Sequence, residues 1–201
     1  MRRLLNVLLF IIPAYLFSNE IPTLSIGTIA PDFKLKGVDG KKYSLNNFKN
    51  ANVLVVVFTC NHCPTAQAYE ERLIKTANEF KNKGVQFVAI SPNDPKAVRL
   101  DELGYSDLGD TYEEMIIRHK NKPFPFPYLY DGDTQKTAKA YGPVATPHIF
   151  IFDKSRKLQY QGRFDDVENP SKTPVNHDAY NAIQALLLKQ EVVVKTTKVF
   201  G

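Results

Sequence analysis

The chain of 201 residues has no tryptophan, two methionines, four histidines and only two cysteines. Two cysteines cannot make the disulfide framework of a small loop-rich scaffold, and a chain of this length buries a core without one. The histidines are too scattered for a four-ligand zinc site: His119 falls on a surface helix and His177 near a helix start. Charge of one sign is also scarce. The formal net charge is +5, and setting residues 1–18 aside leaves 24 basic against 21 acidic residues. With no basic stripe interleaved with aromatics, nucleic acid is excluded as a partner. The longest apolar run, Leu4 to Phe17 with Asn6 inside it, is shorter than the ~20 residues of a membrane span. Internal repeats and a second domain are lacking too.

What is present begins with Met1-Arg2-Arg3, that apolar run, and then Ser18 and Asn19. A positive start, a short apolar stretch and small or polar residues predict a secretory signal peptide over 1–18. Cleavage is poorly marked in Leu16-Phe17-Ser18, so an uncleaved membrane anchor is the alternative; a buried N-terminal helix is the blander one. Export would place the protein in the periplasm or outside the cell, where disulfides persist. Residues 19–29 read as a linker, 30–190 as one domain and 191–201 as a β-prone tail without an evident role.

Within the domain, Phe33 and Leu35 alternate with lysines, Asp39-Gly40 turns the chain, and Lys42 to Leu45 returns: a β-hairpin. Val53 to Phe58, "VLVVVF", is a continuous apolar run suited to a central strand covered on both faces. Ala66, Tyr69, Leu73, Ala77 and Phe80 recur at helical spacing, and Val85 to Ile90 is a second buried strand. Strand, helix and strand with short joints predict a parallel crossover. Residues 92–110 read as a loop, and Thr111 to Glu114 as a capping box opening a helix. A short strand lies within "PFPFPYLYD", then a helix from Thr134 to Tyr141. Ile149 to Phe152 and Leu158 to Gly162 form a hairpin, and Asn176 to Lys189 a last helix. One mixed sheet with helices on both faces packs these elements, giving an α/β fold.

Both cysteines lie in "FTCNHCPT" (58–65), where the central strand ends and a helix begins. Ligand sites of α/β sheets collect at that edge. A helix N-terminus lowers the pKa of a nearby thiol. Two intervening residues let the second sulfur expel a partner bound to the first, which is thiol–disulfide exchange. A structural clip is the weak alternative, since the loop it would close is minimal. Either sulfur could attack. In C-x-x-C proteins the first cysteine, here Cys60, is the usual nucleophile, and that reading is preferred here. Pro64 suits the first helical position, which would make Cys63 the N-cap, nearest the helix charge. Asn61 and His62 occupy the middle of the motif. A protonated His62 would favour a thiolate, unless it is simply a solvated loop residue.

"APDFKL", "DGKKYSL", the strand running into C-x-x-C-P and "ATPHIFIFD" resemble the redoxin branch of the thioredoxin fold, over roughly residues 24–190. More narrowly, "FTCNHCP…AYEERL", "FPFPYLYD…AKAYG" and "YQGRFDD" are similar to peroxiredoxin-like proteins (AhpC/TSA type) that carry a thioredoxin-type C-x-x-C. The resemblance implies a thioredoxin-like fold with an N-terminal β-hairpin. It implies that Thr146-Pro147 is a cis-proline loop beside the cysteines, able to pair with an extended substrate. Two departures weigh against efficient peroxidase activity. The proline and Thr/Ser positions of the peroxidatic motif fall on Val56 and Cys60, and the peroxide-polarising arginine is replaced near Thr146-Pro147. The buried aspartate of thioredoxin's central strand has no counterpart in "VLVVVF"; Glu70 is the candidate proton carrier in its place.

The expectation is therefore an exported thiol–disulfide oxidoreductase, a monomer without cofactor, that meets thiol or disulfide partner proteins through transient mixed disulfides. Contact with a membrane is expected only if residues 1–18 stay attached. The alternatives are a Cu(I) carrier using Cys60, Cys63 and His148, and a weak thiol peroxidase.

Overall fold

The computed structural model describes residues 21–98, 106–169 and 171–201. The expected signal peptide lies outside them. Seven strands form one sheet in the order β2-β1-β5-β4-β3-β6-β7. In chain order these are β1 (Lys34–Gly37), β2 (Lys42–Ser44), β3 (Val53–Phe58), β4 (Val85–Ser91), β5 (Tyr128–Tyr130), β6 (His148–Phe152) and β7 (Leu158–Gly162). The helices are α1 (Pro64–Phe80), α2 (Tyr112–Asn121), α3 (Lys136–Tyr141) and α4 (Asp178–Leu187). β3, β4 and β5 run parallel, while β6 and β1 flank them antiparallel.

β3 explains the layout. All six of its side chains are buried. Val53, Val55 and Val57 face a core built with Tyr69, Leu73 and Phe80 of α1 and Ala179, Ala182 and Ile183 of α4. Leu54, Val56 and Phe58 face a second core with Phe33, Phe48, Tyr141 and Phe150. An alternating pattern would have left one face wet; the unbroken apolar run needs covers on both sides, and helices supply them. The helical face expected on α1 is buried as read: Ala66, Tyr69, Leu73, Ala77 and Phe80 all point inward.

Boundaries shift where local chemistry competes with pattern. The second hairpin strand stops at Ser44, because the Asn47 side chain accepts from the Ser44 amide (2.8 Å) and starts a 3₁₀ turn over Leu45–Phe48. α3 ends at Gly142, which takes the left-handed conformation at φ 62°. A Cβ there would collide with the Pro22 carbonyl oxygen, so only glycine lets the chain turn toward the 143–147 loop.

Residues 21–29 are not a linker. The Leu24 amide donates to the Tyr141 carbonyl (2.9 Å), that of Gly27 donates to Leu158 (2.7 Å), and Ile29 bridges Lys157. Leu24 and Ile26 pack on the second core. The 191–201 tail is also part of the body. Val192 is buried, and Thr196 forms a parallel bridge with Gln161 on the outer side of β7.

α1 and α2 are tied by a buried ion pair. Arg118 Nε and Nη2 donate to the two carboxylate oxygens of Glu70 at 2.9 and 2.6 Å. Replacing Arg118 by alanine removes both of its bonds to buried Glu70 and leaves Lys122 Nζ, 3.5 Å from Oε2, as the remaining cation; we expect a loss of about 1.5–3 kcal/mol in urea unfolding. Replacing both partners with apolar residues of similar volume should recover most of it. A loss below about 1 kcal/mol in the single variant would show that the pair does not tie the helices.

Candidate functional site

β3 ends at Phe58, and the chain crosses Thr59 to Cys63 before α1 begins at Pro64. Cys63 is the N-cap, with extended backbone (φ −70°, ψ 120°) and Pro64 at the first helical position. Proline is favoured there because its missing N–H would have no partner in any case. Cys60 is 2% exposed, and Cys63 is half-buried. Both sulfurs are free thiols that face the same loop. Cys60 Sγ lies 3.1 Å from Thr146 Oγ1, and Cys63 Sγ lies 3.4 Å from the Thr146 carbonyl oxygen. The Thr146–Pro147 peptide bond is cis. Thr146 and Pro147 thus stand beside the cysteines, and a groove of about 590 Å³ opens there, lined in part by His62, Cys63, Pro92, Val144 and Thr146.

The two thiols have opposite electrostatic surroundings. A hydrogen bond from Cys60, the Ala66 and Thr65 backbone amides at the helix tip, and the Thr146 hydroxyl together bring the Cys63 thiol down to about 5, against the cost of burial. The same bond to Cys63, then burial, then the charge of Asp110 push Cys60 well above the ordinary thiol range. The preferred sequence reading made Cys60 the attacker. The charge and the access both belong to Cys63, because the helix starts after it.

Asn61 and His62 are neither spacers nor solvated. The Asn61 and His62 amides donate to Asp110 Oδ1 at 2.7 and 3.4 Å, and His62 Nδ1 lies 2.7 Å from Asp110 Oδ2. Asn61 Nδ2 donates to the Gly109 carbonyl (2.7 Å), and its Oδ1 accepts from the Tyr128 hydroxyl (3.1 Å). Asn93 Nδ2 donates to Asp110 Oδ2 at 2.6 Å. Asp110 is therefore the carboxylate of the site, with a fully buried side chain. Sequence reasoning missed it, having placed residues 92–110 in an undifferentiated loop. The one available signal was its position immediately before the Thr111 capping box, which is intact: the Glu114 amide donates to Thr111 Oγ1 (3.2 Å), and the Thr111 amide donates to Glu114 Oε2 (3.0 Å).

Two other expectations meet different partners. Glu70, the candidate proton carrier, has both carboxylate oxygens held by Arg118 of α2, with Lys122 Nζ 3.5 Å from one of them. His148 is buried in β6, and both ring nitrogens are engaged. Nδ1 accepts from the Val144 amide (3.3 Å), Nε2 lies 2.8 Å from Gln161 Oε1, and the ring stacks on Phe150. It has no nitrogen left to join Cys60 and Cys63 around a copper ion. Burial, only partly opposed by the Gln161 bond, brings His148 down to about 4.

Two pH dependences follow. Alkylation of reduced Cys63 by iodoacetamide should be nearly level from about pH 6 to 8 and fall with a midpoint near 5. A midpoint above about 8 would remove the helix tip as its cause. For His148, the unfolded chain takes up a proton below 6.5, while the folded chain refuses it until about 4. The stability this contributes is present above 6.5 and is lost as pH falls through that window, up to about 3 kcal/mol. His148→Asn should flatten the fall in unfolding free energy between about pH 6.5 and 4. Identical slopes in the two proteins would contradict a neutral buried imidazole.

Comparison with known proteins agrees with this geometry. Residues 26–161 match the AhpC/TSA family. The chain is 26% identical over 144 residues to the thiol-disulfide oxidoreductase ResA of Bacillus cereus, covering 71% of each chain. It is 36% identical over 158 residues to the chloroplastic peroxiredoxin Q of Gentiana triflora, covering 75% of this chain and 65% of that one. A solved structure of a hypothetical protein from Sinorhizobium meliloti superposes with a TM-score of 0.76 at 33% identity, covering 89% and 94% of the two chains. A DsbE-type thiol:disulfide interchange protein from Chlorobium tepidum shares the thioredoxin-like fold at 20% identity and a TM-score of 0.59, covering 83% and 98%. With residues 26–161 matched by the family over most of the chain, and the thioredoxin-like fold shared, this chain belongs to the AhpC/TSA family.

Proposed function

We propose that the protein is a thiol–disulfide oxidoreductase that works through a reversible Cys60–Cys63 disulfide, with Cys63 as the attacking sulfur. The observation that carries this reading is the pairing of a half-buried N-cap thiol with a buried second thiol on the same loop, both against Thr146. The similarity to proteins named thiol-disulfide oxidoreductases supports it.

The Cys63 thiolate attacks one sulfur of a client disulfide. A Cys63–client bond forms, the client S–S bond breaks, and the client's other sulfur leaves as a thiolate. Cys60 then loses its proton and attacks Cys63 Sγ. The Cys60–Cys63 bond forms, the mixed disulfide breaks, and the client departs with two thiols, having gained two electrons and two protons. Run backward, the same steps oxidise a client dithiol. Thr146 and Pro147 form the docking loop, where an extended client segment can lie beside the sulfurs. The signal-like residues 1–18 support action outside the cytosol, where such clients are found.

Insulin or a small-molecule disulfide serves as a test substrate. Turnover should fall to background in both Cys60→Ser and Cys63→Ser. The two variants should differ in trapping: Cys60→Ser accumulates the mixed disulfide with a client, and Cys63→Ser does not. The reverse pattern would hand the attack to Cys60. Rapid peroxide turnover that survives Cys60→Ser would favour a peroxidase instead.

A further inference from the structure

Asp110 is used by none of the steps above, yet it is the most heavily bonded side chain at the site. Its two oxygens meet four donor groups: the amides of Asn61 and His62, the ring Nδ1 of His62, and Asn93 Nδ2. Cys60 Sγ, a His62 ring nitrogen and an Asp110 oxygen all lie within 4.8 Å of one another. The side chain is fully buried, so water does little to screen its charge from the sulfur beside it. Cys63 stands at the other end of the same turn, at the N-cap of α1.

Resting on the reading that Cys63 attacks first, we propose that Asp110 is a positioning residue that sets the order of the two sulfurs. It pins the 60–63 turn by its amides and places a carboxylate beside Cys60, so that charge on the dithiol settles at Cys63.

Geometry and electrostatics agree here. Two thiols that share one hydrogen bond compete for one negative charge. Opposite surroundings decide the competition. Helix amides favour the anion at Cys63, and a neighbouring carboxylate disfavours it at Cys60. The other groups facing Cys60 are His62 on its own turn, the Thr146 hydroxyl, the phenol of Tyr128 on β5, and Cys63 itself. Among these, Asp110 carries the anionic charge that belongs neither to the dithiol nor to a phenol. The order also has a kinetic use. The closing sulfur stays a thiol until Cys63 has taken a client, so the resting protein presents one nucleophile rather than two.

The test is a pH titration of the fully reduced, full-length protein, following the Cβ carbon NMR shifts of both cysteines. In the wild type, Cys63 should titrate first and Cys60 last. Asp110→Asn keeps an acceptor for the Asn61 amide and removes the charge; the midpoint of Cys60 should drop by about one pH unit or more, narrowing the gap. Asn93→Ala loosens the same carboxylate without discharging it, and should keep the gap. An unchanged gap in Asp110→Asn overturns the proposal and leaves the attack by Cys63 intact. An equal collapse in Asn93→Ala also overturns it, since packing alone would then suffice. A wild type in which Cys60 titrates first sinks both readings. If Asp110→Asn does not fold, Asp110→Ser, a shorter neutral acceptor, carries the same expectations.

Discussion

The site depends on one constraint: a strand that must be dry on both faces. Val53 to Phe58 cannot sit at the surface, so β3 occupies the middle of the sheet, between β4 and β6. Its carboxyl end therefore emerges among the loops of its neighbours rather than at a free edge. β6 pairs with it so that Phe58 lies opposite His148. That register brings the residues just before His148, Thr146 and Pro147, alongside the residues just after Phe58. Cys60 and Cys63 meet the cis-proline loop because two buried strands are in register, and no contact within the motif itself is needed to arrange it.

From there, backbone polarity separates two chemically identical groups. A helix leaves its first amides without partners, and a sulfur at the N-cap can use them. Three residues earlier the chain is still inside the protein, beside a carboxylate and out of reach of those amides. The thiols differ because the boundary between strand exit and helix start falls between them. Pro64 fixes where the helix starts, and so has chemical as well as conformational weight.

Much of this was legible in the sequence. The unbroken β3 run, the inward face of α1, the Asp39-Gly40 turn and the Thr111 capping box are local patterns with a period or a required residue, and each gave its element within a residue or two. The cysteines were found from their place on those elements, and Thr146-Pro147 from the family resemblance. What was hidden is what only packing creates. Asp110 reaches Asn61 across 49 positions of sequence, and a Gly-Asp pair in a polar loop carries no mark of burial. Glu70 looks like any acidic residue on a helix until Arg118 is seen to close on it. Residues 21–29 lack alternation, because they are held by single hydrogen bonds to Tyr141 and Leu158 and not by a strand ladder. The order of the sulfurs turned on where α1 begins, and pattern alone blurs helix ends by about two residues.

The 191–201 segment deserves a wider view than its β-prone composition suggested. β7 is the last strand on its side of the sheet, and such a strand offers a ladder on which another chain can build. Here the Gln161 amide already donates to the Lys195 carbonyl, the Gln161 carbonyl accepts from the Thr197 amide, and Thr197 rests on Gly162 where a side chain would collide with it. A foreign strand arriving on this flank finds the rung at Gln161 taken by the protein's own chain. The protein's own tail thereby guards that flank against lasting backbone pairing.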